Sequence, residues 1–395
     1  MKLYAQHGYG EGEKINQGLQ NGLISGAIYG AKDITPDRLN DRLNAIATLA
    51  PDAGRIFDPQ YYVSLIGSDP NIRLGRLEEY PYFAVRRRGQ LESNELITDE
   101  IKKLLEFQQK LPVTSIVSPN ILISRSFDSV EAVIAKNFIR HAKKVYTTFG
   151  DKRPLFVTLA ISREALIDFV ELKGFLNDIT LLNEPPEGFY LLIGARSIDA
   201  RTDIYNADVI AAWMLLNYSL KINGYQVING YSDLISPFLG AVGGDIGCTG
   251  WWSNLRMFSL NRFAPEATGG RLPVQRYLST KLLNRITFYE LNALRKIIPN
   301  EIINGLSMDG MYEDEPDRAK EVLQSWEALS HLMNSLTESE NLSENLAKCV
   351  TALKFAENLY TAINAIPYHL DAKSDSTHLE AFLEGINLFK KRAEI

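Results

Sequence analysis

Four side chains in this sequence have the chemistry to move a proton or attack a substrate, and all four stand on or at the ends of β-rich runs: His7, Asp58, Asp245 and Cys248. Two carboxylates that face one cavity divide acid and base work when their surroundings push their pKa values apart. Asp58 follows the run 54–57. Asp245 opens the run 245–249, where it serves equally well as a cap or on the opposite face. His7 follows the run 2–6 and has the ordinary pKa of a general base, although a histidine there is as often structural. Around these four stand residues suited to holding a substrate: Lys32, Gln60, Asn120, Arg196, Asn229, Tyr231, Trp251, Asn254, Arg256 and Arg262. Lys32 is a phosphate ligand or Schiff-base former, or the partner of Asp33. Trp251-Trp252 and Tyr61-Tyr62 offer flat faces for a base or sugar, or for core packing. Gly230 and Gly243-Gly244 leave backbone N–H groups open to a phosphate, or simply end a helix.

The elements that position these residues alternate. Strands are expected at 2–6, 26–31, 54–57, 114–117, 155–161, 189–193, 225–229 and 245–249, with helical spacing between most of them. Thr35-Pro36 marks a helix start, with Thr as cap and Pro at the first helical position. Eight βα units argue for a parallel (β/α)8 TIM-like barrel, whose carboxyl rim would gather the strand-end residues. A doubly wound open sheet is the alternative, and Gly8, Gly10 and Gly12 match its glycine-rich turn poorly. The barrel is expected over 1–300. The stretch 59–110 is read as an insertion after the third strand, with some strand character and a helix over 99–110. From about Ser279 the sequence reads as helical, with 282–297 closing the barrel and 316–395 forming a C-terminal helical bundle.

The totals narrow the function. The chain has 395 residues, a formal net charge of −6 and two cysteines. That charge gives no global pull toward nucleic acid, and the cysteine usage fits a thiol-reducing, cytoplasmic setting. No apolar run reaches membrane-spanning length, and no leader-like segment follows Met1. Five scattered histidines and two distant cysteines show no metal-ligand spacing, and no cofactor motif is present. Arg86–Arg88 reads as a solvated basic edge.

Two stretches resemble one family. Arg55-Ile56-Phe57-Asp58 is similar to the strand of tRNA-guanine transglycosylases that ends in a base-recognising aspartate. The run from Gly230–Asp233 through Gly243-Gly244-Asp245 to Arg256 and Arg262 is similar to that family's last strands. The resemblance covers residues 54–63 and 225–271 and implies a TIM barrel that exchanges a base through an aspartate on the sugar. It would put Asp58 on the base, Asp245 or Cys248 toward the sugar, and Arg256 and Arg262 on phosphate. Cys248 occupies the family's nucleophile position, Pro59-Gln60-Tyr61-Tyr62 replaces its Ser-Gly-Gly-Phe-Gln run, and its zinc module is absent. Three functions follow as expectations: a barrel acting on or binding a nucleotide or nucleic-acid base, a barrel enzyme for a small phosphorylated substrate, or a degenerate barrel serving in an assembly. The aromatics Trp326, Phe355, Tyr360, Phe382 and Phe389 motivate the last, as residues that a small bundle cannot hide and that a homo-oligomer or complex would cover.

Overall fold

The computed structural model describes residues 1–196, 201–265, 273–298, 302–310 and 317–395. The end of the 225–271 stretch, residues 299 and 300, and residue 316 lie outside these. Nine parallel strands form the main sheet: β1 (Lys2–Gln6), β2 (Gly26–Gly30), β3 (Gly54–Asp58), β4 (Ile116–Ser118), β5 (Leu122–Ile123), β6 (Leu155–Ser162), β7 (Gly188–Gly194), β8 (Gln226–Gly230) and β9 (Ile246–Thr249). Their order is β3-β2-β1-β9-β8-β7-β6-β4, with the short β5 extending the pairing of β6. The ends of this row meet where the Thr114 amide donates to the Arg55 carbonyl at 2.8 Å and the Thr114 hydroxyl accepts from the Arg55 amide at 2.9 Å. The protein is thus an α/β chain with a nearly closed, eight-stranded TIM-like barrel.

The helices are α1 (Lys14–Gln20), α2 (Pro36–Leu49), α3 (Asn94–Gln109), α4 (Val130–Thr147), α5 (Arg163–Leu166), α6 (Phe169–Thr180), α7 (Arg201–Ile204), α8 (Ala207–Ile222), α9 (Ser236–Gly240), α10 (Phe288–Leu294), α11 (Arg318–Leu336), α12 (Leu342–Asn364) and α13 (Thr377–Ala393). Most begin on a side-chain cap; Thr35 caps α2, with Pro36 at its first position. The insertion carries three short 3-10 segments before α3 and no strand. Its tyrosines are buried and each hydroxyl is matched: Tyr61 to Glu100, Tyr62 to Asp58, Tyr80 to the Ile34 carbonyl and Tyr82 to the Pro59 carbonyl. Arg86 is no solvated edge, since it pairs at 2.7 Å with the fully buried Glu100.

Beyond the barrel strands, the expected unbroken helix over 282–297 is instead a strand followed by α10. β10 (Arg276–Ser279) and β11 (Asn284–Thr287) form an antiparallel hairpin. Gln324 of α11 covers the hairpin's edge, accepting from the Leu278 amide and donating to its carbonyl. α11 also packs on α1, α9 and β1, so it covers the last stretch of the barrel wall. Its Trp326 ring lies over Gly18, where a Cβ would come within 2.7 Å. α13 lies along α8, with Phe389 on Tyr218 and Phe382 on Phe238. Trp326, Tyr360, Phe382 and Phe389 are therefore buried within the chain itself, and Phe355 remains exposed. No described helix is long and apolar enough to cross a membrane.

Register defines the bore. Tyr4 pairs with Gly26 and Cys248, and Gly26 with Gly54. A Cβ on Gly26 or Gly54 would meet the Tyr4 ring at 2.8 and 2.2 Å, so the ring fills the space that the two glycines leave. Phe156 does the same opposite Gly188. Large rings facing glycines pack the lower bore, as in a filled barrel rather than a pore.

Candidate functional site

Alternation carries the same faces upward. Two residues above Tyr4, Gln6 faces the bore; two above Ile56, so does Asp58; Thr158 and Tyr190 are register partners on β6 and β7. The Tyr190 hydroxyl confirms the direction, lying 3.5 Å from Gln6 Oε1 and 3.4 Å from Asp58 Oδ2. Past β3, Gln60 adopts the left-handed region at φ 53° and folds its side chain over Gly30. Its amide donates to Asp58 Oδ1 at 3.0 Å, and its Oε1 accepts from the Lys32 amide at 2.7 Å. The Tyr62 hydroxyl reaches Asp58 Oδ2 at 3.2 Å.

Asp58 is fully buried, and burial pushes its carboxyl up to about 6 despite the opposing pull of Arg262 and of these hydrogen bonds. Arg262 donates to Asp33 at 2.9 Å and to the Tyr231 hydroxyl. Cys248 also faces the bore, where burial and then the Asp58 charge drive its thiol well up. It is a neutral thiol, not an activated nucleophile. Beside Asp58, two buried side-chain amide nitrogens have no hydrogen-bond partner within the protein: Gln60 Nε2, and Nε2 of Gln6, whose Oε1 shares the Tyr190 hydroxyl with Asp58; Asn120 Nδ2 and Thr158 Oγ1, past β4 and on β6, are likewise buried without one. Buried polar groups are otherwise nearly always satisfied, so such a cluster asks for a reason. A cavity of about 420 Å³ on the flank of the mouth has Tyr62 in its wall, together with Leu65, Ile66, Leu122 and Ser124.

The structure thus brings Asp58, Gln60, Tyr231, Cys248 and Arg262 together in the bore, with Lys32 beside them over the Phe263 ring, while Asn120 is buried past the end of β4 with its Oδ1 on the Ile121 amide. Several expected residues lie elsewhere. His7 is one residue past Gln6 and therefore points outward, stacked on Tyr29 and 3.5 Å from Glu11, which also accepts from the Tyr29 hydroxyl. Asn229 likewise turns outward, bonded to Trp213 and Asn217 of α8. Asp245 sits at the amino end of β9, paired with Lys221 at 2.6 Å and accepting from the Val227 amide. Gly243 and Gly244 share that opposite end. Arg196 is exposed and paired with Glu164. Asn254 is partly buried in the loop after β9, and Trp251 and Arg256 line a different cavity. Sequence reading missed Gln6, Thr158 and Tyr190; two-residue alternation along β1, β6 and β7 is the signal that finds them.

No family model and no curated protein matches the chain. Among the described residues, no group of three or more His, Cys, Asp or Glu side chains is placed to hold a metal.

Proposed function

We propose that the carboxyl end of the bore binds a nucleobase, free or as part of a nucleotide, with Asp58 as the group that reads its edge. The observation that carries this reading is the buried carboxylate of Asp58 with the partnerless side-chain amides of Gln60 and Gln6 beside it. Two amide N–H2 groups and a carboxylate make a mixed array of donors and acceptors, which suits a planar heterocycle with N–H and C=O groups on its rim. The similarity of Arg55–Asp58 to a base-recognising strand supports the same assignment. Tyr62, between Asp58 and the flanking cavity, is the side chain a ligand would have to pass.

The reading is one of binding. Glycosyl exchange needs a nucleophile, and Cys248, in the position the resemblance assigns to one, is a protonated thiol in a buried setting. No covalent step is therefore included.

The test is calorimetric titration of the purified protein with purine bases and nucleosides, wild type against Asp58→Asn. Replacing a charged buried acceptor removes ~1–3 kcal/mol of hydrogen bonding, so affinity should fall roughly tenfold or more without a drop in thermal midpoint. An ionised acceptor suits an N–H edge, so wild-type binding should strengthen as pH rises through about 6. Failure of every base and nucleoside to bind, or equal binding by Asp58→Asn, would overturn the assignment.

A further inference from the structure

The bore is shut. Gln6, Asp58 and Gln60 have no exposed surface, so nothing reaches them unless a covering element moves. The element over them is the short segment 258–263, in the chain that follows β9. It begins on one side of the barrel. There the Ala195 amide, just past β7, donates to the Phe258 carbonyl at 2.8 Å, and the Ser259 hydroxyl donates to the Arg196 carbonyl at 3.4 Å. It ends on the other side. Arg262 donates to Asp33, just past β2, at 2.9 Å, and the Arg73 amide of the insertion donates to the Phe263 carbonyl at 2.6 Å. In the strand order β7 and β2 stand four places apart in a ring of eight, directly across the bore from each other. The segment is a strap drawn over the mouth along a diameter.

Its underside holds the contents of the bore in place. The Phe258 and Phe263 rings stand edge-on to the Tyr62 ring, with centroids 5.2 and 6.5 Å away. Phe258 also packs on Tyr231, and Arg262 lies over the Tyr231 ring and donates to its hydroxyl. Tyr62 in turn donates to Asp58. The side chain that separates Asp58 from the flanking cavity is therefore clamped by two rings of the strap and cannot turn aside while the strap is down.

The strap itself is lightly fastened. Among the described residues, two hydrogen bonds tie its backbone to the barrel end and the insertion, whereas β7 is paired with β6 along its whole length. The Arg262–Asp33 ion pair, with the arginine buried and the aspartate near the surface, is the charged fastening at its far end. Segments with few backbone ties open locally at a lower free energy than the strands they cover. We propose that 258–263 is a gate that lifts and closes over the bore as one unit, with Arg262 on Asp33 as its latch, and that Tyr62 is released only when it lifts. The gate governs entry of whatever the bore receives, so it stands apart from the nucleobase assignment.

The experiment is residue-resolved hydrogen exchange of the full chain, wild type and Asp33→Ala, without ligand. Three amides report the gate: Ala195 and Arg73, which tie it, and Gln60, which lies beneath it on Asp58. In the wild type the three should share one protection factor, about tenfold or more below that of Leu191 and Leu192 inside β7. Asp33→Ala leaves Arg262 without its carboxylate, so the three protection factors should fall together by about tenfold or more while those of Leu191 and Leu192 stay the same. Protection of the three equal to that of β7 in the wild type would overturn the proposal, and this comparison needs no variant. So would three unequal protection factors, an Asp33→Ala profile identical to that of the wild type, or loss of protection in β7 along with the strap, which would make the ion pair a support of the whole barrel.

Discussion

Asp58→Asn offers a direct measure of how hard the bore resists a charge. In the fold the carboxyl titrates at about 6 rather than its ordinary 3.8, and burial is the main reason. That difference is worth ~3 kcal/mol in favour of the neutral acid, at ~1.4 kcal/mol for each tenfold change in proton affinity. Because the folded value is raised, the contribution is fully present below about pH 4 and is lost as pH rises through about 6. Above that the wild type must either charge Asp58 inside the bore or unfold more readily. Asparagine has nearly the same volume and keeps an acceptor for the Gln60 amide. Its N–H2 faces the Tyr62 and Tyr190 hydroxyls, which can rotate to accept. The substitution should therefore be close to neutral at pH 4 and stabilising by up to ~3 kcal/mol at pH 7.5. With ~2.1 cal/mol/K of unfolding entropy per residue, that is a gain of ~4 °C in this chain. Scanning calorimetry of both proteins at the two pH values isolates the effect, since other titrating groups cancel in the difference. A midpoint difference that does not change with pH, or a mutant less stable at pH 7.5, would refute the reasoning and mean that Arg262 fully compensates the charge.

Other expectations follow from the same geometry. Asp233→Asn should cost ~3–5 kcal/mol, because it leaves the Arg285 guanidinium buried without its partner; urea unfolding of the two proteins checks this. Gly54→Ala should be destabilising by ~1–3 kcal/mol, since the new methyl collides with Tyr4. Gly174→Ala, on α6 with nothing within 4 Å of the added carbon, should instead stabilise by ~0.5–1 kcal/mol; parallel thermal melts separate the pair. Cys248 and Cys349 are buried with thiols pushed up by burial, so the native protein should resist an aromatic disulfide reagent that labels both once it is unfolded.

The barrel was legible because its signals are local: the Thr35-Pro36 start, the apolar strand runs, the polar residues where each run stops. The direction of each strand-end side chain was not. Parallel strands are buried on both faces, so their sequences lack the polar alternation that would show which residues look inward. Asn229 and His7 stand at the right height and on the wrong side for that reason. β11 was hidden because its four residues, Asn284–Thr287, hold a single apolar side chain and show no strand alternation, and only pairing with β10 decides the matter. Of the cavity lined by Trp251 and Arg256, only those two residues and Trp252 were legible. Its charges come from segments remote in the chain, and no spacing links Asp233 to Arg285 or Arg318 to Glu321.

The wall between α1 and α11 sets an order of events during synthesis. β1 leaves the ribosome first and finds β2 soon after, but its other neighbour, β9, and the indole that fills the groove at Gly18 are made much later. Until β9 emerges the nascent protein carries an unpaired strand edge, and until Trp326 emerges an uncovered apolar trough, the features that invite association between unfinished chains. A message cut short before the codon for Arg318 would encode every barrel strand and still yield a product held at that stage. Quality control in the cell would therefore meet this protein at β1, waiting for α11.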